Sequence, residues 1–222
     1  MKYRFICILF LYSFLFSTYA GMAQKYFEGI ITYEVETKLK YEEHEYNYYF
    51  EQKYGDSLKV YIFKDGSFRR EYMNSGKLGL DWQIYNRSNN NYYAKYRSLD
   101  TVYYYDTKEN VFEFKSFNQL PNRIILGKTC EGLEKVIYEP RAGETFISHF
   151  YYSGEEALAP NIYDEFKDGY WDQAFKKIQS QVLAFSTETP YLLMYSEAVK
   201  IEWKKLDKSI LKLPEEVPLK YN

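Results

Sequence analysis

Cysteine and histidine are scarce in this chain, with two of each among 222 residues. Cys7 lies in the first apolar run, so Cys130 has no partner in the rest of the chain and no intrachain disulfide is expected. His44 stands between two glutamates but lacks the second histidine that zinc motifs require, and His149 falls within a strand pattern. The sequence therefore predicts neither a metal site nor a disulfide-stabilised fold.

Proline is absent from residues 24–120, and all six prolines occur from Pro121 onward. A strand inside a sheet must donate its N–H groups to its neighbours, which proline cannot do. Tyrosine, in contrast, is abundant at 27 residues, and aromatic side chains favour strands. The two biases together indicate a domain made mainly of strands.

Neither sign of charge is in large excess, since 29 basic residues face 31 acidic ones. The formal charge of −2 gives no electrostatic reason to expect nucleic acid or an anionic membrane as a partner. The chain also lacks a Gly-rich phosphate loop, a G-x-S-x-G elbow and a paired-cysteine motif. We therefore predict a protein that is not an enzyme, with no catalytic residue, metal or cofactor.

Residues 1–23 have the pattern of a cleaved secretory signal peptide. A short basic start precedes an apolar run over residues 5–16, and small residues then offer cleavage after Ala20 or Ala23. The run is shorter than the roughly 20 residues that a membrane-spanning helix needs. We expect the mature chain, residues 24–222, to be a single domain that is exported to the periplasm or outer membrane and has no transmembrane segment.

Apolar and polar residues alternate along most of the mature chain, as in strands with one buried face. Ile31, Tyr33 and Val35 share one face of the first predicted strand. Asp65-Gly66 gives a strong hairpin signal, and further turn signals recur about every 8–12 residues. The prediction is a mainly β (α+β) fold with about eleven antiparallel strands. Sheets this wide curl or split, so we expect a strongly curved sheet or incomplete barrel.

Residues 155–181 instead place apolar side chains at helical spacing. Asp168-Gly169 interrupts the pattern, which predicts two short helices or one kinked helix packed on the sheet. This segment is either a hinged lid over a cavity or a permanent cap on a filled core. The candidate lid residues are Tyr163, Phe166, Gly169, Tyr170, Trp171 and Ile178.

The inner face of such a sheet could hold an apolar or amphiphilic ligand, such as a lipid or the acyl chain of a lipoprotein. The same residues would form an ordinary dry core if the helices filled the space between them. An alternative function is an envelope module that binds another envelope protein through exposed tyrosines. The candidate ligand-binding residues are Leu80, Trp82, Ile84, Phe112, Phe114, Phe150, Ile201 and Trp203.

Arg70 falls on an apolar strand face, in register with Phe68 and Tyr72. A buried arginine requires a carboxylate or carbonyl partner, whereas an arginine at the rim of the sheet stays in water. We expect the rim position.

Three segments resemble a known family: Tyr26-Phe-Glu-Gly-Ile-Ile-Thr-Tyr33, Ile125-Leu-Gly-Lys-Thr-Cys130, and Glu197-Ala-Val-Lys-Ile-Glu202 with Leu211-Lys-Leu-Pro214. They are similar to exported bacterial proteins of unknown function of the GLPGLI type. That group is thought to share the half-barrel of the LolA/LolB lipoprotein carriers. The resemblance implies a half-barrel fold and carries over no catalytic residue.

Overall fold

The computed structural model describes residues 25–41 and 47–221, so the predicted signal peptide and His44 lie outside the described residues. Within these ranges the chain forms twelve strands and two short α-helices. The strands are β1 (Gly29–Leu39), β2 (Ser57–Ile62), β3 (Phe68–Met73), β4 (Leu80–Asn86), β5 (Asn91–Tyr96), β6 (Val102–Asp106), β7 (Glu113–Ile125), β8 (Lys128–Glu139), β9 (Glu144–Ala157), β10 (Ser180–Glu188), β11 (Leu192–Trp203) and β12 (Leu219–Tyr221). The helices are α1 (Asn47–Lys53) and α2 (Trp171–Ile178), with short 3₁₀ helices at Asp168–Tyr170 and Lys208–Leu211.

All twelve strands of the described chain belong to one open sheet, in the order β12-β6-β5-β4-β3-β2-β1-β11-β10-β9-β8-β7. Two meanders, β1 to β6 and β7 to β11, meet where β1 pairs with β11. Neighbouring strands are antiparallel except β12, which lies parallel to β6. The predicted mainly antiparallel β fold is confirmed.

The strand order requires the sheet to be strongly curved. Strands β6 and β7 are consecutive in the chain but stand ten strand spacings apart, which is about 48 Å in a flat sheet. Only residues 107–112 join the two strands, and an extended chain of that length spans about 25 Å. The two edges must therefore approach each other, so the sheet is an incomplete barrel with a gap between them.

Residues 158–179, called the cap segment below, pack on the concave face of the sheet. The ring of Phe166 lies 4.6 Å from that of Tyr85 on β4, and the ring of Trp171 lies 5.4 Å from that of Phe150 on β9. These contacts join opposite halves of the barrel through one segment. The predicted helical segment packed on the sheet is confirmed, although its regular helix is only the eight residues of α2.

The convex face is covered by residues 204–221, called the C-terminal tail below. Leu211, Leu213 and Val217 pack on a cluster that contains Trp82 and Ile84 of β4. A second cluster contains Ile30, Phe63 and Leu206, against which Ile210 and Leu211 pack. The tail then ends in β12 at the edge of the sheet. Apolar side chains on this face are thus buried by the protein's own C-terminus.

Three local features differ from the sequence predictions. The turn signals of the sequence do not include Leu126 and Gly127, which form the tight turn between β7 and β8 with φ of 50° and 75°. Helix α1 had no counterpart in the periodicity of the sequence. Strand β7 continues through Pro121, which is tolerated because β7 is an edge strand. No helix among the described residues has both the length and the apolar character needed to cross a membrane.

Candidate functional site

The concave face is not completely filled, and a cavity of about 700 Å³ remains between the sheet and the cap segment. This volume lies within the range of about 300–1,000 Å³ typical of small-molecule sites. Its walls come from strands β1 to β6 and β9 to β11, with the cap segment at one side. The cavity therefore runs through the interior of the incomplete barrel.

Aromatic side chains make up much of the cavity wall. Nine tyrosines of the described chain line it, and five phenylalanines and one tryptophan join them. The rest is largely aliphatic, for example Val35, Leu58 and Val60. A wall of this kind favours an apolar ligand while offering phenol groups as scattered hydrogen-bond donors. The lining tyrosines are Tyr33, Tyr49, Tyr54, Tyr72, Tyr92, Tyr96, Tyr103, Tyr105 and Tyr163.

Arg70 also lines this cavity, so the expected position at the rim is wrong. Its side chain is half-buried and lies over the ring of Phe68, with 4.9 Å from the guanidinium carbon to the ring centroid. The Nη1 atom donates to the hydroxyl of Tyr92 at 3.3 Å. Gln83 Oε1 in turn accepts from Tyr72 at 2.6 Å and from Tyr92 at 2.8 Å. Strands β3, β4 and β5 thus hold one polar network in the wall.

The phenols of this network are neutral hydrogen-bond donors and not counter-ions. Burial raises the pKa of Tyr33, Tyr72 and Tyr92 above 10.0, although the charge of Arg70 acts in the opposite direction. Arg70 forms no ion pair with any carboxylate of the described chain. Its positive charge is therefore not compensated by any carboxylate of residues 25–41 and 47–221.

Two further polar atoms in the wall have no hydrogen-bond partner in the described part of the chain. They are Nε2 of Gln181 on β10 and Oγ of Ser196 on β11, and both side chains are buried. Leaving a buried polar group unpaired costs about 1–3 kcal/mol of stability. Both residues line the cavity, so a ligand or water inside it can supply the missing partners.

The opening of the cavity is marked by the lining residues that are exposed to solvent. Leu78 and Leu99 are 37% and 38% exposed, and Ser98 is also exposed. These residues lie in the β3–β4 and β5–β6 connections, and Tyr49 of α1 lines the cavity with them. The C-terminal end of α1 is tied to the first of these connections, because Gly76 N–H donates to the carbonyl of Gln52 at 2.9 Å. The entrance is thus beside α1, a helix that the sequence did not predict.

The cap segment is fixed at the gap between β6 and β7. The backbone N–H groups of Lys167 and Asp168 donate to the carbonyl of Thr107 at 2.7 and 2.9 Å. Tyr105 donates to Asp168 Oδ2 at 3.0 Å. These bonds attach the segment to the β6 edge of the barrel.

Lys135 attaches the same segment to β8. It is 2% exposed, donates from Nζ to the carbonyl of Gly169 at 2.5 Å and lies 4.8 Å from the ring centroid of Trp171. Burial lowers its pKa to about 8, although Asp168 and Asp172 act to raise it. Lys135 does not line the cavity, so its contacts serve to position the cap segment.

The candidate lid residues fall into two groups. Tyr163, Phe166 and Trp171 line the cavity, whereas Ile178 belongs to a filled cluster with Leu133 and Val182. The ring of Tyr170 contacts that of Phe114 at 5.4 Å, away from the cavity wall. These placements put the first half of the cap segment and the start of α2 against the cavity.

Gly169, the predicted hinge, has φ of 54°, in the left-handed region that favours glycine. Its N–H group donates to Asn110 Oδ1 at 3.2 Å, and its carbonyl accepts from Lys135. The hinge residue is therefore held on both sides, which favours a permanent cap over a mobile lid.

Among the candidate ligand-binding residues, Phe150 lines the cavity. Leu80 and Ile201 belong to the adjoining core without reaching the cavity wall. The sequence predicts an inward face shared by Leu80, Trp82 and Ile84, but this is wrong for the last two. A β-bulge between Leu80 and Trp82 breaks the alternation and turns Trp82 and Ile84 to the convex face.

The remaining three candidates lie at the margins of the sheet. Phe112 pairs with Phe146 at 5.7 Å, and Phe114 lies between Phe117 and Tyr170. Trp203 is 38% exposed at the end of β11 and contacts Phe27. None of these three side chains lines the cavity, so they do not share a surface there with Phe150.

The sequence pattern did not identify Gln181, Ser196 or the lining tyrosines other than Tyr163 as members of the wall. Their signal was weak, because single polar residues in strands are common on the wet face of a sheet. For Arg70 the signal was present in its register with Phe68 and Tyr72, but the expected position was wrong. No three acidic, histidine or cysteine side chains of residues 25–41 and 47–221 cluster so as to hold a metal ion. A scan against protein-family models and a search of curated proteins gave no match to this chain.

Proposed function

We propose that this protein is an exported, non-enzymatic binding protein that takes an amphiphilic ligand of the lipid class into its interior cavity. The observation that carries the proposal is the cavity of about 700 Å³, whose mainly aromatic and aliphatic wall contains only scattered polar groups. A wall of this kind favours apolar chains, and burial of each methylene group contributes about 0.8 kcal/mol. The resemblance to the GLPGLI-type group and the LolA/LolB half-barrel agrees with this class of ligand.

Trp171 is a reporter inside the cavity. The chain has three tryptophans, and Trp82 and Trp203 do not line the cavity. A Trp82→Phe, Trp203→Phe protein therefore leaves Trp171 as the source of tryptophan emission. Unbranched alcohols, added below the concentration at which they aggregate, should shift that emission. Affinity should rise about fourfold per added methylene until the cavity is full.

Two substitutions on β1 give a matched control. Val35→Phe adds a ring to the cavity wall, whereas Glu36→Phe places the same ring at an exposed neighbouring position. We expect the first to weaken binding of the longest alcohols and the second to leave it unchanged. Emission that does not respond to any chain length, in a protein shown to be folded by circular dichroism, would contradict the proposal.

Native mass spectrometry of protein purified from its own envelope tests the function in the cell. Co-purified lipid is the expected result. A ligand-free mass together with a specific protein partner would favour the alternative, an envelope interaction module.

A further inference from the structure

The charge inside the cavity is of one sign. Arg70 is its sole charged lining residue within the described part of the chain, and the remaining lining residues are apolar or neutral. A cation withdrawn from bulk water without a counter-ion is costly even when it is half-buried, and pairing it with an anion through good hydrogen bonds offsets part of that cost. The cavity therefore contains a permanent positive charge, since arginine does not lose its proton in proteins.

The guanidinium of Arg70 keeps donors for a ligand. It has five N–H groups, and its hydrogen bonds within the described chain are with the phenols of Tyr92 and Tyr72. Those phenols donate their own hydrogens to Gln83 Oε1, so their oxygens are free to accept from Arg70. This arrangement orients the guanidinium and leaves further N–H groups of Arg70 available at the cavity.

A second donor group lies on the opposite side of β1. The positive charge of Arg70 acts to lower the pKa of Tyr33, against the effect of burial. The hydroxyl of Tyr33 donates to the carbonyl of Val182 at 2.7 Å. The residue next to Val182 is Gln181, whose buried Nε2 is unpartnered. An amide nitrogen can only donate. The unpartnered Nε2 of Gln181 thus requires an acceptor atom from whatever occupies the cavity, and the remaining N–H groups of Arg70 can donate to the same occupant.

We infer that the ligand is a monoanionic amphiphile with a carboxylate head group, as in a fatty acid, and that Arg70 binds the carboxylate while the apolar wall takes the chain. The inference rests on the proposed binding function. A planar carboxylate matches the fork of a guanidinium and accepts two parallel hydrogen bonds. A phosphate monoester would bring a second negative charge, for which the described lining offers no second cation.

Head groups on one chain length test the inference directly. Dodecanoate, dodecanol, dodecylamine and dodecyl phosphate are titrated below their aggregation concentrations at pH 8, with Trp171 emission as the readout. Dodecanoate should bind at least tenfold more tightly than dodecanol. Dodecyl phosphate should bind more weakly than dodecanoate, and dodecylamine should bind most weakly.

Adjacent arginines on β3 supply a matched pair of variants. Arg70→Met removes the charge inside the cavity and keeps an unbranched side chain. Arg69→Met removes a charge that pairs with Glu71 at 2.9 Å and lies over Trp82 of the convex-face cluster. We expect Arg70→Met to lose the preference for dodecanoate over dodecanol, and Arg69→Met to retain it. Arg70→Lys should keep part of the preference, because it retains the charge without the fork.

The outcomes separate the two proposals. Equal affinity of the wild-type protein for dodecanoate and dodecanol would overturn the carboxylate inference and leave the binding function standing. Failure of every chain to bind would overturn the binding function itself. If Arg70→Met does not fold, the head-group series on the wild-type protein and the Arg70→Lys variant still decide the matter.

Discussion

The concave and convex faces of this sheet are built from alternate residues of the same strands, yet they are completed in different ways. On the convex face, Trp82 and Ile84 are buried by Leu211, Leu213 and Val217 of the C-terminal tail. On the concave face the cap segment covers only part of the area, and a cavity of about 700 Å³ remains. The unpartnered buried atoms of Gln181 and Ser196 both lie on the concave side.

The convex face is therefore a filled core, whereas the concave face retains a cavity and buried polar atoms without partners. A face covered by apolar side chains of its own chain gains stability from burial without any other molecule. A face with uncompensated donors and a cavity is less stable by itself, and a ligand that binds there stabilises the folded state. Such a trade between stability and binding is common at functional sites.

The largest expected effect is on the convex face. Trp82→Ala should lower the free energy of unfolding by about 3–5 kcal/mol, because it leaves a cavity beneath the tail. Phe185→Ala, in the cavity wall, should lower the free energy of unfolding by a smaller amount, since that half-buried ring already borders open space. Urea denaturation of both variants measures the difference. Equal losses would show that the two faces are packed alike.

The second prediction concerns how the cap segment is held. Burial lowers the pKa of Lys135 to about 8, from an ordinary value of 10.5. Between these values the unfolded chain binds a proton that the folded chain does not, so the stability contributed by this residue rises with pH. We expect Lys135 to contribute a gain of about 2 kcal/mol from pH 7.5 to 9.5. The gain is measured as the difference from a variant without the lysine, because Cys130 and the buried tyrosines, whose pKa values are raised by burial, act in the opposite direction.

Replacement of the lysine isolates this effect. Lys135→Met should remove the gain, whereas Lys115→Met, at an exposed position, should keep it. Denaturation profiles of the wild type and Lys135→Met that run parallel across this pH range would count against a buried ammonium beneath the cap.

The smallest expected effect is an increase in stability. Gln181→Met keeps a similar volume and removes the unpartnered amide nitrogen. The free energy of unfolding should therefore rise by about 1 kcal/mol. Gln173→Met on the exposed side of α2 should stay within about 0.5 kcal/mol of the wild type. Urea denaturation measures both. A loss of stability in Gln181→Met would mean that the amide is satisfied in the folded protein.

Much of the strand pattern could be read from the sequence because each strand buries one face and alternates. Strand β3, Phe68–Met73, follows the predicted Asp65-Gly66 turn, and a helix forms within the late segment of helical spacing. The side of the sheet that Trp82 faces could not be read, because a one-residue bulge reverses the alternation without changing the apolar pattern. Helix α1 has only seven residues, too few for a periodic signal.

The sequence by itself determined the fold class, since proline-free alternating segments and closely spaced turns allow little other than an antiparallel sheet. It also determined that the sheet would curl around a late helical segment. Only the tertiary structure decided that the C-terminal tail covers Trp82 and that Arg70 lies in a cavity instead of at the rim. The physical reason is that periodicity identifies the two faces of a strand but not what covers each face, which depends on contacts between residues far apart in the chain.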